Sequence, residues 1–157
     1  MGAIAHDLRT HPAHLGLGAK AVAQPAFAGM AWYEAYAART ATDGAEGRLV
    51  SLYDFTESWT SWEMHPAGDE MVICVAGEMT LIQEAADGST SSLTLTAGQY
   101  AINTPGMWHT ADVDGQATAL FITAGQGTQH RPRQRESRSC GWVNQPRRMI
   151  QIITKCC

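Results

Sequence analysis

Glu63, His65 and Glu70 are the residues of this 157-residue chain whose types and spacing first suggest chemistry. Read as an extended strand, the stretch 59–65 (WTSWEMH) alternates faces with a period of two. Trp59, Ser61, Glu63 and His65 then project to one side, and Thr60, Trp62 and Met64 to the other. A carboxylate and an imidazole thus share one space. Pro66, Ala67 and Gly68 make a turn. The apolar run 71–76 beyond it has the length and β-branched content of a buried strand, with Glu70, Val72 and Cys74 on one face. A charged Glu at the mouth of an apolar strand needs a partner to offset its desolvation. His65 and Glu63 are the near candidates, and so is a metal ion held between them.

The order Glu63-x-His65-x4-Glu70-x6-Gly77 resembles the first motif of the cupin superfamily, His-x-His-x(3 or 4)-Glu-x6-Gly, with Glu63 where the first His is usual. A second block, Gly98-QYAIN-Thr104-Pro105-Gly106-MW-His109, resembles the second cupin motif, Gly-x5-Pro-x-Gly-x2-His-x3-Asn. There Thr104 stands at the usual Pro, with Pro105 next to it, and Val113 stands at the usual Asn. The resemblance covers residues 48–127. It implies a small single-domain cupin with a variant first metal motif: an all-β, double-stranded β-helix or jelly-roll barrel. In such a barrel Glu63, His65, Glu70 and His109 would ligate one divalent first-row metal (Fe, Mn, Ni, Cu or Zn).

Two carboxylates and two imidazoles bring one more negative charge to the ion than the usual three imidazoles and one carboxylate. That lowers the Lewis acidity of a bound dication and disfavours soft Cu(I). With one carboxylate left out, the remainder resembles the two-His-one-carboxylate arrangement of non-haem iron sites. Without a metal, Glu63 pairs with His65 or His109, or serves as a general base, since a buried Glu beside another Glu has a raised pKa. Both readings concern one cavity. Its walls are drawn from Ser61, Val72 and Cys74, on the ligand faces, and from the aromatic Tyr53, Trp59, Trp108 and Phe121, although Cys74 also reads as an inert buried thiol. A concave, mostly apolar pocket with a few polar groups fits a small organic molecule. Dioxygenase or isomerase-type chemistry is what the resemblance implies. The alternative is a non-enzymatic protein that binds or senses a small molecule, and fold does not choose between them.

The elements that must position these groups read as many short strands. Segments 48–55, 59–65, 70–77, 78–84, 91–98, 99–103, 107–113 and 117–125 are separated by turn clusters such as PAGD, AADGSTS, TPG and DVDG. Asp87-Gly88 and Asp114-Gly115 are hairpin signals. Almost no helix interrupts the series, which argues for a sandwich or barrel over a parallel α/β sheet. Ahead of it, residues 31–40 (AWYEAYAART) place Trp32, Tyr33 and Tyr36 at helical spacing and predict a short helix laid against a sheet. Residues 1–28 show no period. They read as a surface arm in which His6, His11 and His14 have no metal role, with a short strand at 19–23 pairing with a neighbour. The expected division is an arm and helix at 1–47, a barrel at 48–130 whose alternation closes near Gly127, and a tail at 131–157.

The length suits one domain, and 45% apolar with 17% charged residues fits a soluble globular protein. No apolar run has the length of a membrane span, and the start, MGAIAHDLRTHP, lacks the basic and apolar regions of a signal peptide. The expectation is a cytoplasmic protein with no membrane partner. The net charge of −4 is unevenly spread: residues 1–130 hold four basic and fourteen acidic groups, residues 131–157 seven basic and one acidic. That tail also carries Cys140, Cys156 and Cys157 and an apolar patch at 149–153. It reads as an accessory or disordered segment, or as an arm for another subunit. A net-negative body repels phosphate, so nucleic acid is not an expected partner. No phosphate-binding glycine loop, Gly-x-Ser-x-Gly elbow or Cys-x-x-Cys pair is present, which disfavours nucleotide-dependent chemistry and serine hydrolysis. The resemblance further implies a homodimer, through sheet edges or N-terminal strand exchange.

Overall fold

The apolar run that begins at Glu70 does not stop at Gly77. In the computed structural model, which describes residues 4–134, it continues as one 15-residue strand, β5 (Glu70–Glu84). Ahead of it come β1 (Ala13–Gly16), β2 (Lys20–Ala23), α1 (Ala31–Thr40), β3 (Arg48–Phe55) and β4 (Ser61–Met64). After it come β6 (Thr90–Thr96), β7 (Tyr100–Asn103), β8 (Trp108–Asp112), β9 (Ala117–Thr123) and β10 (Gln129–Pro132). The first half of β5 pairs with β7 and β9, the second half with β6 and β8, and the register slips between Cys74 and Ala76 where the chain bends. Two antiparallel sheets therefore share one strand, in the orders β7-β5-β9-β3-β1-β2 and β6-β5-β8-β4-β10. This is the expected all-β jelly-roll architecture with a short N-terminal helix.

Gly77 makes the bend possible. Its φ is +71°, and a Cβ there would collide with the backbone carbonyl oxygen of Gln116. Segments 70–77 and 78–84 are thus one strand in two sheets. Between the sheets lies the core, built on Val72, Cys74, Met79, Leu81, Ala111 and Phe121.

The outward faces of the two sheets differ. On the six-stranded sheet, Ile102, Met71, Ile122, Val50 and Ala13 stand side by side across five strands, with Tyr100, Ile73, Leu120 and Leu52 in the next row. Tyr100 and Ile102 are exposed. The five-stranded sheet instead turns Glu78, Thr80, Glu84 and Asp112 outward, and there Arg131 is clasped between the rings of Trp62 (5.0 Å) and Trp108 (4.4 Å). Trp108 is accordingly not a wall of the inner cavity. In a strand the neighbour of an inward His109 must face out.

The N-terminal third is more ordered than its composition suggests. The strand expected at 19–23 is β2, but its neighbour is β1 of the same chain, and this hairpin extends the six-stranded sheet beside β3. His14 is not on a surface arm. It is 2% exposed, with Nε2–H donating to Asp43 at 2.7 Å and Nδ1 accepting from the Tyr36 hydroxyl at 2.7 Å. Burial pushes the Tyr36 pKa up to about 12, which keeps the phenol a donor. Helix α1 spans the expected residues. It buries Trp32, which stacks on Tyr36, and its Tyr33 hydroxyl lies 3.3 Å from that of Tyr53.

The body does not close at Gly127. β10 runs antiparallel to β4, with His130 opposite Glu63 and Arg131 opposite Trp62. The basic residues read as tail have acidic partners on this sheet: Arg131 bonds Glu84 at 2.6 Å and Arg133 bonds Asp112 at 2.7 Å. Asp87-Gly88 closes the β5–β6 hairpin as expected, whereas Asp114-Gly115 connects β8 to β9, which lie in different sheets. Residues 135–157, with their three cysteines and the patch at 149–153, lie outside the described residues. No helix among the described residues is long and apolar enough to cross a membrane.

Two glycines allow a test of the bend. Gly77→Ala is expected to cost more than about 2 kcal/mol, from strain and a backbone clash together. Gly98→Ala has a similar φ of +89° but open space around it, and is expected to cost about 1–2 kcal/mol. Urea denaturation of the two variants makes the comparison.

Candidate metal centre

The period of two along β4 turns Glu63 and His65 to the inner face, and the β4–β8 register sets Glu63 opposite His109. The turn after His65 brings Glu70, the first residue of β5, back into the same space. Glu63, His65 and His109 each present a ligand atom within 4.8 Å of the other two. Glu70 lies across both imidazoles, with Oε1 3.2 Å from His65 Nε2 and Oε2 3.0 Å from His109 Nε2. The side chains of His109, Glu70 and His65 are 0%, 2% and 5% exposed, while that of Glu63 is 29% exposed. Glu63, His65 and His109 thus form one group, Glu70 adjoins it through both imidazoles, and the solvent edge of the cluster is at Glu63.

Both imidazoles are fixed by their far nitrogens. The Thr128 hydroxyl donates to the Gly125 carbonyl at 2.9 Å, so at 2.8 Å it accepts from His65 Nδ1–H. His109 Nδ1–H donates to the Met107 carbonyl at 3.2 Å. Each ring thus keeps its proton on Nδ1 and turns Nε2 inward, the tautomer that binds a metal. Glu70 is at hydrogen-bonding distance from both Nε2 atoms, but the directions are wrong: neither buried Nε2 makes a hydrogen bond of acceptable geometry. The Glu70 oxygens are already engaged, Oε1 by the Thr123 hydroxyl at 2.8 Å and Oε2 by Asn103 Nδ2 at 3.0 Å. Asn103 is itself held by Gln83 at 2.7 Å. A separation of about 3 Å is also that of two atoms in adjacent positions around one cation with bonds of about 2.1 Å. The residues present fit a divalent metal.

Electrostatics agree with that fit. Burial works to raise the Glu70 pKa, yet the two imidazoles, His109 foremost, hold it well below the usual carboxylate range. Burial likewise works to lower the His109 pKa, and Glu70 beside it more than reverses this. In metal-free protein Glu70 is therefore held toward its carboxylate form, and His109 is drawn toward a second proton, which would sit on Nε2. Metal and proton compete for that one atom. The pairing expected of Glu63 in a metal-free site is corrected here: it pairs with neither His65 nor His109 but with His130 Nε2, at 2.7 Å.

The expected pocket residues separate into three groups. Tyr53, Trp59 and Phe121 form an aromatic cluster with Phe55 (Tyr53–Phe121 5.9 Å, Trp59–Phe121 5.8 Å), and Trp59 stands edge-on to His109 at 6.3 Å. Ser61 is on the Glu63 face, its carbonyl accepting from the Thr110 hydroxyl. Val72 and Cys74 are wholly buried core; the Cys74 thiol, its pKa pushed up by burial, donates to the Ala76 and Gly77 carbonyls. The surface depressions lined by Leu93, Leu95 and Tyr100, and by Gly77 and Gln116, include none of the cluster. Thr123, Asn103, Thr128 and His130 escaped the sequence reading. Only His130 carried a visible signal, as an imidazole just past the last recognised strand.

No family model and no curated protein matches the chain. It is similar to a solved protein from Neisseria meningitidis, with 21% identity over 48% of this chain and 72% of that one (TM-score 0.40). It is also similar to hydroquinone 1,2-dioxygenase from a Sphingomonas species, at 14% identity over 48% and 59% (TM-score 0.43). A further similar structure is oxalate oxidase, at 17% identity over 52% and 44% (TM-score 0.46). The chain spans less than two thirds of the last two. The two motif blocks meet inside one double-sheet jelly-roll barrel, the architecture that their resemblance implied.

The lowered Glu70 and raised His109 predict a pH dependence for the metal-free protein. Glu70 contributes stability above the ordinary Glu value, lost as pH falls through its lowered pKa. His109 contributes below the ordinary His value, lost as pH rises through its raised pKa. Both contributions are complete only between about pH 4.3 and 6.5. The metal-free melting temperature is expected to peak in that window, and Glu70→Gln should flatten the profile.

Proposed function

We propose that this chain is a metal-binding cupin that acts on a small organic molecule, with one divalent first-row metal (Fe, Mn, Ni, Cu or Zn) held by His65, His109, Glu70 and Glu63. The observation that supports this reading is the pair of buried imidazoles anchored through Nδ1, with each Nε2 turned inward and lacking a hydrogen bond of acceptable geometry. A bound metal would supply Lewis acidity or redox chemistry at that point. The rest is done by the protein: Thr128 and the Met107 carbonyl orient the rings, Thr123 and Asn103 fix Glu70, and the aromatic cluster excludes water on the His109 side. A ligand would enter at Glu63, the solvent edge. The hydroxyls of Tyr33 and Tyr53 are paired at 3.3 Å, and burial foremost, with Tyr53 and the Glu63 charge adding to it, pushes the Tyr33 pKa up, so the phenol stays a donor. Such donors suit an oxygen-bearing organic ligand.

Dioxygenase or isomerase-type chemistry is the reaction class proposed within this reading. The second reading is a non-enzymatic cupin that captures or senses a small molecule. It is favoured by the rings of Tyr53, Phe55, Trp59 and Phe121 packed against one another beside the cluster. A homodimer is proposed as well, supported by the apolar outward face of the six-stranded sheet. Ile73→Lys is expected to turn a dimer into a monomer in light scattering, and a wild-type monomer at micromolar concentration would count against it.

Elemental mass spectrometry of protein purified without chelator or added metal tests the main reading. One of the five metals at near-stoichiometric content, falling in both His65→Ala and His109→Ala, is the expected result. Protein that takes up none of them even after reconstitution would overturn it.

A further inference from the structure

Glu63 is held differently from the other three proposed ligands. His130, Glu63 and His109 occupy one register row across β10, β4 and β8. Side-chain exposure falls along that row from 52% through 29% to 0%. The carboxylate accepts from His130 Nε2–H at 2.7 Å through Oε1, and among the described residues this is the one hydrogen bond its side chain makes. One oxygen is tied to β10, and the other has no such bond, in a group whose ligand atom lies within 4.8 Å of those of both site imidazoles. A glutamate that is part exposed and tethered at a single point takes its direction from that tether.

We propose that His130 is the positioning residue that keeps Glu63 in the metal site, so that β10, which lies outside both motif blocks, completes the ligand set. The proposal rests on the metal reading of the cluster. Its requirement is an N–H donor at position 130, not an imidazole as such, because a carboxylate oxygen can only accept. The strand itself does not depend on this contact. Arg131 is fixed by Glu84 and by the Trp62 and Trp108 rings, Arg133 by Asp112, and the backbone of β10 by pairing with β4. A change at 130 therefore leaves β10 in place and releases Glu63 alone.

The test is titration of the full chain with Co²⁺, read by visible absorption and by competition with a chelator of known affinity. The variants are His130→Ala, His130→Gln, Glu63→Ala, the double variant Glu63→Ala/His130→Ala, and His65→Ala. His130→Ala is expected to weaken Co²⁺ binding by about 10- to 100-fold and to alter the absorption bands. His130→Gln, which keeps an amide donor, should stay near the wild type, and the double variant should be no weaker than Glu63→Ala. Binding by His130→Ala that equals or exceeds the wild type would overturn the proposal. So would a His130→Gln as weak as His130→Ala, or a further loss when His130→Ala is added to Glu63→Ala. Wild-type protein that takes up no Co²⁺ sinks the metal reading and this proposal together. Binding abolished by His65→Ala but untouched by His130→Ala sinks this proposal alone.

Discussion

The structure of the site depends on two imidazoles that are held by the wrong end for an ion pair. His65 and His109 spend their Nδ1 protons on Thr128 and the Met107 carbonyl, which leaves two buried Nε2 atoms facing a carboxylate that meets them at the right distance and the wrong angle. Burying a carboxylate and two imidazoles is costly unless their charges are compensated. A dication bound among them would supply that compensation. The surrounding contacts, from Thr123 and Asn103 on Glu70 to Gln83 on Asn103, hold the geometry against relaxing into a simple salt bridge.

The barrel brings these groups together from two distant segments, residues 63–70 and His109. β5 does most of this by serving both sheets: Glu70 enters the site from the six-stranded sheet, and beyond the bend at Gly77 the same strand pairs with β8, which carries His109. The N-terminal hairpin extends the six-stranded sheet beside β3, and the helix meets β3 where the Tyr33 and Tyr53 hydroxyls pair. Their own anchor is a second buried polar cluster, His14 with Asp43 and Tyr36, in which every nitrogen and carboxylate oxygen of the pair has a partner: Asp43 Oδ1 is met by Lys20 at 3.0 Å. That contrast is informative. At His14 both ring nitrogens are satisfied, and at His65 and His109 only one is.

Much of this was legible in the sequence, and the gaps have physical causes. Strand β3 and helix α1 were read to the residue, because apolar alternation and aromatic spacing are local signals. Gly77 was read as punctuation. A glycine at positive φ can end a strand, but here it bends one, since new partners in the second sheet take over the hydrogen bonding. β10 was missed because QHRP has no apolar alternation; it is held by pairing with β4 and by Glu84 and Asp112, which lie far away in sequence. Trp108 was misplaced although the signal was present, because a residue adjacent to an inward His109 must point outward. Burial of His14 could not be read from residues 1–28 alone, since Asp43 and Tyr36 lie outside them.

The central claim is that His65 and His109 are poised to bind a metal and not to form an ion pair. Anomalous diffraction from crystals grown with Mn²⁺ or Ni²⁺ addresses it most directly. A single anomalous peak within about 2.1–2.3 Å of both Nε2 atoms, with Glu70 and Glu63 oxygens beside it, is what the account predicts. A site without a peak, in which either Nε2 has rotated into a well-aligned hydrogen bond with Glu70, would contradict it.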